Sequence, residues 1–577
     1  MLAGPIFHRE ILTTPRQLRH FLLRAGYVGA LFVLMYTAGQ ATFGWQQVRN
    51  LGDVARFGHL LFQLFSMVQL ALVAFFAPLF AASRVAQEKD RQTLVLLLMT
   101  DLRDRELVLG KLLASLLPVA VLLSASIPVF ALIYMLGGIS LSQIGWSVGL
   151  AAATALAAGS WGSLVAFWRE KTFQTLAISV LGIVLFIGVS EAAVGILGVD
   201  SSIGKWLAFG DPFRGMLLIL DPLAAQPALV RAEVPALGYL IAMLGLALFC
   251  NGVAVFRLRV WNPSRTASEP RKEVDEADVA TTTKTRDIWS NPIIWREICT
   301  RAYGRRMIFI KLAYVIVFLF AAAYVRHAQQ AGGEQVLGMI SPPGFAFVAV
   351  GLVSLLLVNA QAVTALTSER DAKTLELLLV TDITAREFIF GKIGGVLYNM
   401  REIVLLPLAG LLWFAYQGVL TWENFTYVAL GFLTLVVFAS MLGLHGGLSF
   451  DNSRSAIANS LGTMFFLFLG VFICMMLIVE ARASFLLQLP SFLVFILGGS
   501  MGLWASLTHK NPSPALTFSA FCLPFFTFYS ITGFLLGDTL GVWLVMSAAY
   551  GFTTLAMLIP AVSEFDVALG RTTLDKG

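Results

Sequence analysis

The sequence predicts an all-α polytopic membrane protein with about 12 transmembrane helices, or 14 if two further apolar blocks also cross. Three observations predict it. Charged residues make up only 13% of the 577 residues against 58% hydrophobic, where a soluble chain averages about 25% charged. Mean hydropathy is +0.80. The apolar residues also recur in blocks long enough to cross a bilayer, about 20 residues each. This balance excludes a cytosolic enzyme, a nucleic-acid reader and a disordered scaffold. Four cysteines (Cys250, Cys299, Cys474, Cys522) show neither a CxxC pair nor a pairable outer-loop spacing, so no disulfide frame or zinc site is expected.

The N-terminal stretch MLAGPIFHREILTTPRQLRH lacks the basic start, short apolar core and small-residue cleavage site of a signal peptide, so it reads as a mature cytoplasmic end. Spans follow near 21–38, 58–83, 112–137, 144–167, 174–197 and 236–256. A second series lies near 309–325, 344–367, 393–416, 425–447, 456–480 and 540–561. With the N-terminus inside, 31 of the 40 Lys and Arg fall in inner segments and seven outside (Arg49, Arg56, Lys205, Arg214, Arg231, Arg326, Arg482), with Arg401 and Lys510 assigned to neither. That asymmetry is the one expected of cytoplasmic loops. The blocks 485–507 and 515–537 flank His509-Lys510-Asn511-Pro512 and read either as two more spans or as helices dipping in from the outer face. Both readings leave both termini cytoplasmic.

An internal repeat organises these spans. Glu88 to Lys111 recurs as Glu369 to Lys392, with more than half of the positions identical at a constant offset of 281. Pro5-Ile6-Phe7-His8-Arg9-Glu10-Ile11 likewise matches Pro292-Ile293-Ile294-Trp295-Arg296-Glu297-Ile298, just before the first span of each half. The expected organisation is a six-span half over 1–256, a cytoplasmic linker over 257–290 and a second half over 291–577. Six is even, so the halves run parallel, related by an axis along the membrane normal. The linker contains Pro263, Pro270 and Thr281-Thr282-Thr283 among clustered charges and reads as flexible.

Asn291-Pro292 places an N-cap before a first-turn proline, and the following mix of Trp295 and Ile298 with Arg296, Glu297, Arg301, Arg305 and Arg306 predicts a helix lying in the interface. A plain basic anchor is the alternative. After the second span, Glu369 and Lys373 have i,i+4 spacing, and Leu375, Leu378 and Leu379 supply an apolar stripe, which predicts a charged helical extension. Thr384 and Glu387 have capping-box spacing, so a second short helix should start at Thr384 and enter the next span after Gly391-Lys392. In the first copy Arg103 replaces that Thr, which moves the expected cap to Asp101. Such an element could dock a soluble partner, whereas a solvated loop would not account for shared positions in both copies.

Together, Asn/Gly-Pro-x-x-x-Arg-Glu before the first span and Glu-x-x-x-x-Thr-Leu-x-Leu-Leu-Leu-x-Thr-Asp followed by Arg-Glu and Gly-Lys after the second resemble the ABC-2 family of ATP-binding-cassette permeases. The resemblance covers nearly the whole chain, one permease per half. It implies an exporter subunit of the plasma (inner) membrane whose inner helices receive motion from a separate ABC-type ATP-binding subunit. ATP and magnesium would sit on that partner and no cofactor on this chain. The residues carried over are Glu88, Asp90, Thr93, Thr100, Asp101, Glu106, Gly110 and Lys111 in the first copy, and Glu369, Asp371, Thr374, Thr381, Asp382, Glu387, Gly391 and Lys392 in the second. Pro5, Arg9, Glu10, Pro292, Arg296 and Glu297 take the interfacial-helix positions. Membrane lipid is the other expected partner, and nucleic acid is not one.

No Gly-Lys pair carries the upstream Gly and following Ser/Thr of a Walker A loop, so the chain itself is not expected to be an enzyme. Leu444-His445-Gly446-Gly447-Leu448 reads as small-residue helix packing, and scattered His and Met give no metal site. Arg401 and Glu402, inside the span near 393–416, are candidate pathway residues or snorkel to the inner interface, since a charge at mid-bilayer costs about 2.5–3.5 kcal/mol on insertion scales. A major-facilitator transporter is a competing reading, but its Gly-x-x-x-Asp-Arg-x-Gly-Arg-Arg loop is absent and Glu191, Glu402 and Glu480 are isolated. A non-transporting anchor or regulatory subunit is a third reading, because fold does not fix function.

Overall fold

The computed structural model describes residues 7–8, 11, 18–43, 50–197, 202–220, 235–262, 289, 291–299, 307–330, 340–375, 383–473, 485–510 and 513–568. The regular elements among them are helices. In the first half α1 (Leu18–Phe43), α2 (Leu51–Asp90), α4 (Asp104–Leu136), α5 (Leu141–Trp168), α6 (Thr172–Leu197) and α9 (Pro235–Trp261) match the six predicted spans. The short α3 (Thr93–Leu98), α7 (Ser202–Ala208) and α8 (Pro212–Leu220) join them. The second half contains α10 (Pro292–Cys299), α11 (Met307–Gln330), α12 (Pro342–Asp371), α13 (Ala385–Asn399), α14 (Arg401–Tyr416), α15 (Trp422–Ser449), α16 (Ser453–Phe465), α17 (Phe485–Leu507), α18 (Pro514–Leu536) and α19 (Thr539–Ala568).

Among the described residues, eleven helices are long and apolar enough to cross a membrane, and twelve if α13 and α14, bent by 56°, form one span. Large apolar side chains such as Phe256, Met135, Leu248 and Ile559 stand mostly exposed on their surfaces. In water these would be a liability; against lipid chains they are the expected facing. The chain is an all-α polytopic membrane protein.

Sequence chemistry sets many helix ends. Ser140, Ser341, Thr421 and Ser513 each accept a hydrogen bond from the backbone N–H three residues on, and Pro342 and Pro514 follow two of these caps directly. At 40 residues α2 is about 60 Å long, against a hydrocarbon core of about 30 Å, so an end of it must stand clear of the hydrocarbon.

Close helix contacts are made by glycine. A Cβ on Gly162 of α5 would lie 2.3 Å from the Pro78 carbonyl oxygen of α2, and one on Gly443 of α15 would lie 2.7 Å from the Asn359 carbonyl oxygen of α12. Both members of this pair of contacts are separated by 281 positions. Gly446 and Gly447 also approach Ser460 and Leu366 closely, in line with the packing role expected of the His445-Gly446-Gly447 stretch.

The halves interlock. α6 packs on α11 and α12, while α16 packs on α2 and α17 on α1. Phe173, Leu176, Ala177 and Leu181 of α6 thereby belong to the core built mainly by the second half. Phe75 and Phe76 of α2 meet Phe465 of α16 with ring centroids 5.4 and 5.7 Å apart.

One of the two readings left open for 485–537 is favoured, and one expectation changes. His509, after α17, stacks on Phe450 at the end of α15 with centroids 4.4 Å apart, and Asn459, midway along α16, bonds Ser506. The turn between α17 and α18 therefore lies at the end of the bundle where α15 finishes, so the pair runs the length of the bundle rather than dipping in from the other end. The predicted single span over 393–416 is broken at Met400, where α13 ends and α14 leaves at 56°. Of the 257–290 linker, 263–288 and Ser290 lie outside the described residues, and α9 continues to Trp261.

Candidate functional site

The end of the bundle at which α2 and α12 finish, here called the charged end, gathers most of the sequence-predicted site residues. α2 stops at Asp90 and α12 at Asp371, and in each case the second residue beyond, Gln92 or Lys373, adopts a left-handed backbone (φ 58° and 57°). Non-glycine residues adopt it rarely, at a cost of roughly 1–2 kcal/mol. The following Thr93 and Thr374 each donate a side-chain hydrogen bond back to the carbonyl of Glu88 and Glu369, at 3.3 and 3.1 Å. The same sharp turn closes both helices. It overturns the expected helical extension through Lys373: the helix has ended, and Glu369 turns instead to Arg296 and Lys392.

Beneath each turn lies a lysine–glutamate pair. Lys111 of α4 pairs with Glu88, and Lys392 of α13 with Glu369 at 2.7 Å. In the second pair Lys392 is 1% exposed and also reaches Glu297 of α10 at 2.6 Å, while Arg296 contacts both glutamates. Two cations and two anions balance there, as buried charge requires. In both copies the Oε2 atom of the glutamate, Glu88 or Glu369, is buried with no hydrogen-bond partner among the described residues.

The aspartates complete the arrangement. Asp90 accepts from Thr172 at the start of α6, and Asp371 from Ser453 at the start of α16, again 281 apart. Lys89 donates to the carbonyls of Phe167 and Arg169, and Arg370 to those of Gly447 and Phe450. The copies are joined directly by Arg91, whose guanidinium meets Asp371 at 3.0 Å, and by Gln87, which donates to Asn452 at 3.4 Å.

α10 lies across α13. Asn291 caps it, accepting from the N–H groups of Ile293 and Ile294, and its amide donates to the Glu387 carbonyl. Gly391 and Gly395 make the approach possible, since Cβ atoms there would lie 2.8 Å from Ile293 and 2.7 Å from Glu297. Pro292 opens α10 as expected. Thr384 and Glu387 form the predicted reciprocal cap. The helix they start runs through Gly391-Lys392 without interruption.

In the first copy α4 begins at Asp104 with Arg103, not Asp101, in the capping position. Arg103 has only side-chain donors, so the cap reduces to Glu106 accepting the Arg103 N–H at 3.3 Å. Thr100 closes α3 by donating to Leu97, Gly110 is buried in α4 and Asp101 is exposed. On the outer side of this turn Leu96 of α3 and Met99, just after it, are 64% and 60% exposed. Pro5, Arg9, Glu10, Thr381 and Asp382 lie outside the described residues.

Arg401 and Glu402 stand apart from this network, at the start of α14. Arg401 is half exposed and lies over Tyr398, and Glu402 pairs with Lys311 of α11 at 2.7 Å. Sequence reading missed Lys311, Arg91, Thr172 and Ser453. Only the last two carried a signal, a hydroxyl at positions 281 apart.

At the opposite end α6 and the α7–α8 turn bring Glu191, Asp211 and Arg214 together, with Arg214 bonded to Glu191 through Nη2 at 2.7 Å. Burial, and then a hydrogen bond to Glu191, push the Asp211 carboxyl up to about 7. Compared with protein-family models, curated proteins and solved structures, the chain matches none of them.

Proposed function

We propose that the chain, whose polytopic helical architecture fits a membrane transporter in general, is the permease of an ABC exporter of the ABC-2 kind, driven by ATP hydrolysis on a separate nucleotide-binding subunit. In this reading both halves carry one permease unit each, the charged end faces the cytoplasm of the plasma (inner) membrane, and both termini lie on that side.

The observation that carries the reading is the doubled set of contacts at the charged end. Glu88–Lys111, Thr93–Glu88 and Asp90–Thr172 recur 281 positions later as Glu369–Lys392, Thr374–Glu369 and Asp371–Ser453. Each set ties one polar turn to the third turn of one helix, through Lys111 or Lys392, and to the first turn of another, through Thr172 or Ser453, so a push on the turn moves α2 with α4 and α6, or α12 with α13 and α16. Arg91–Asp371 lies where the two sets meet and would rearrange if the halves rocked. The exposed Leu96 on α3 and Met99 just after it offer an apolar contact for a soluble partner. Transport energy would enter through the partner's differential affinity for the two arrangements of the halves.

Co-purification tests this. An ATP-binding protein should co-purify with the wild-type chain and be lost from the Leu96→Asp, Met99→Asp variant, which alters exposed positions and leaves the paired charges intact. Equal retention by both proteins would remove α3 as the docking element, and absence of any ATP-binding protein from both would remove the reading itself.

A further inference from the structure

The proposed function makes no use of a cavity of about 190 Å³ that lies over α5, between Phe186 and Ile187 of α6 and Met243 and Phe249 of α9. α5, α6 and α9 have 28, 26 and 27 residues, so each is about 40 Å long. The cavity residues at 154–164, 182–187 and 243–250 fall within about 15 Å of each helix midpoint. In a hydrocarbon layer about 30 Å thick, that level holds lipid chains and not headgroups. Phe186 and Phe249 are 41% and 67% exposed, so the mouth of the cavity opens on the lipid-facing surface.

Differences between the two copies account for the space. The helices correspond at the offset of 281: Gly162 meets Pro78 as Gly443 meets Asn359, and Thr172 bonds Asp90 as Ser453 bonds Asp371. At that offset Ala74, Thr154, Ala157 and Ile187, which line the cavity, give way to Leu355, Leu435, Phe438 and Phe468. The first three of these larger side chains are buried in the second-half core, and Phe438 and Phe468 both pack on Tyr550, with ring centroids 4.7 and 6.2 Å apart. The second half thus fills with its own side chains a volume that the first half leaves open. Packed interiors leave few voids larger than a water molecule, and an apolar cavity of about 150 Å³ stays dry and takes benzene. Every described residue lining this one is uncharged, and Thr154 donates its hydroxyl to the Leu150 carbonyl. The Trp161 ring leans on Gly182, where a Cβ would lie 2.5 Å from it. A charged or strongly polar ligand would lose its hydration there with nothing in return. Hydrocarbon loses nothing.

We propose that this cavity takes one acyl chain of a phospholipid, entering from the bilayer between α6 and α9 and lying against Ala157 and Trp161. Its walls include Ala74, next to Phe75 and Phe76, which meet Phe465 of the second half. An inserted chain therefore supports α2 beside the contact between the halves. This does not depend on the ABC reading.

The full-length chain is reconstituted in liposomes of phosphatidylcholine brominated midway along its acyl chains, and its tryptophan fluorescence is compared with that in unbrominated liposomes. The Trp161 contribution is the difference between each protein and its Trp161→Phe version. Bromine on a chain inside the cavity should quench that contribution. Thr154→Leu with Ala157→Phe, which copies Leu435 and Phe438, should reduce this quenching several-fold and leave that of the other tryptophans unchanged. Absence of Trp161 quenching in the wild-type chain, or equal quenching in the filled variant, overturns the proposal. Quenching by free brominated stearic acid in ordinary liposomes, with none by the brominated phospholipid, overturns the phospholipid as the source of the chain. Should the filled variant fail to accumulate, Ile187→Phe alone, which copies Phe468, is read by the same outcomes: a several-fold loss of Trp161 quenching supports the proposal, and no loss overturns it.

Discussion

Replacing Lys392 with Met removes the charge at the centre of the second-copy network while keeping an unbranched side chain. Lys392 is 1% exposed and holds Glu297, 4% exposed, at 2.6 Å and Glu369, 17% exposed, at 2.7 Å. Without it, Arg296 alone faces two carboxylates and the cluster carries one uncompensated negative charge. Removing one partner of a buried pair costs about 3–5 kcal/mol. Lys111→Met is the internal control, because that pair is more open, at 10% and 20% exposed, and should cost about 1–3 kcal/mol. Apparent melting temperatures in detergent, taken at one scan rate because large membrane chains unfold irreversibly, should fall further for Lys392→Met than for Lys111→Met. Adding Glu297→Gln to Lys392→Met restores the charge balance and should recover part of the loss. A Lys392→Met protein as stable as Lys111→Met, or a double variant less stable than the single one, would refute the reasoning.

Other consequences follow from particular contacts. Gly162→Ala and Gly443→Ala should each destabilise by about 1–3 kcal/mol through overpacking, while Gly145→Ala, with nothing within 4 Å of its Cβ, should be neutral by the same melting assay. Gln92→Gly and Lys373→Gly relieve a left-handed backbone and should keep or slightly raise the melting temperature, whereas Ile at either position should lower it. The Asp211 carboxyl, raised to about 7 from an ordinary value near 3.8, holds its proton better folded than unfolded, so its contribution is intact below about pH 4 and is lost as pH rises through about 7. Asp211→Asn should therefore flatten the fall in melting temperature over that window, and an unchanged slope would contradict the assignment. If Arg401 and Glu402 line a translocation path, Arg401→Ala should impair transport without lowering the amount of folded protein; unchanged transport in proteoliposomes would remove both residues from the path.

The spans were legible because lipid demands about 20 apolar residues per crossing and tolerates little else. Their ends were less so: α2 and α4 run well past the apolar blocks, because polar turns of a helix outside the hydrocarbon cost nothing. The site was legible where one residue type must sit at one spacing, as for Thr384 with Glu387 or Asn291 before Pro292. It was illegible where the partner came from a distant helix. Nothing in the run around Glu369 reveals that Arg296 displaces Lys373 as a partner, or that Arg91, whose counterpart is Ala372, ties the two copies together. The break at Met400 was hidden for a similar reason: the segment is apolar enough for one span, and its Arg401-Glu402 pair finds Lys311 only after α11 has folded beside it.

The proposed role is transport through this chain driven by ATP hydrolysis on a partner subunit. The most direct measurement reconstitutes the chain with its co-purifying ATP-binding protein in liposomes and compares transport driven by ATP with transport driven by an imposed proton or sodium gradient. Under the proposed role, transport occurs only with hydrolysable ATP and is lost in the Leu96→Asp, Met99→Asp protein. Transport by the chain alone on an ion gradient would contradict it.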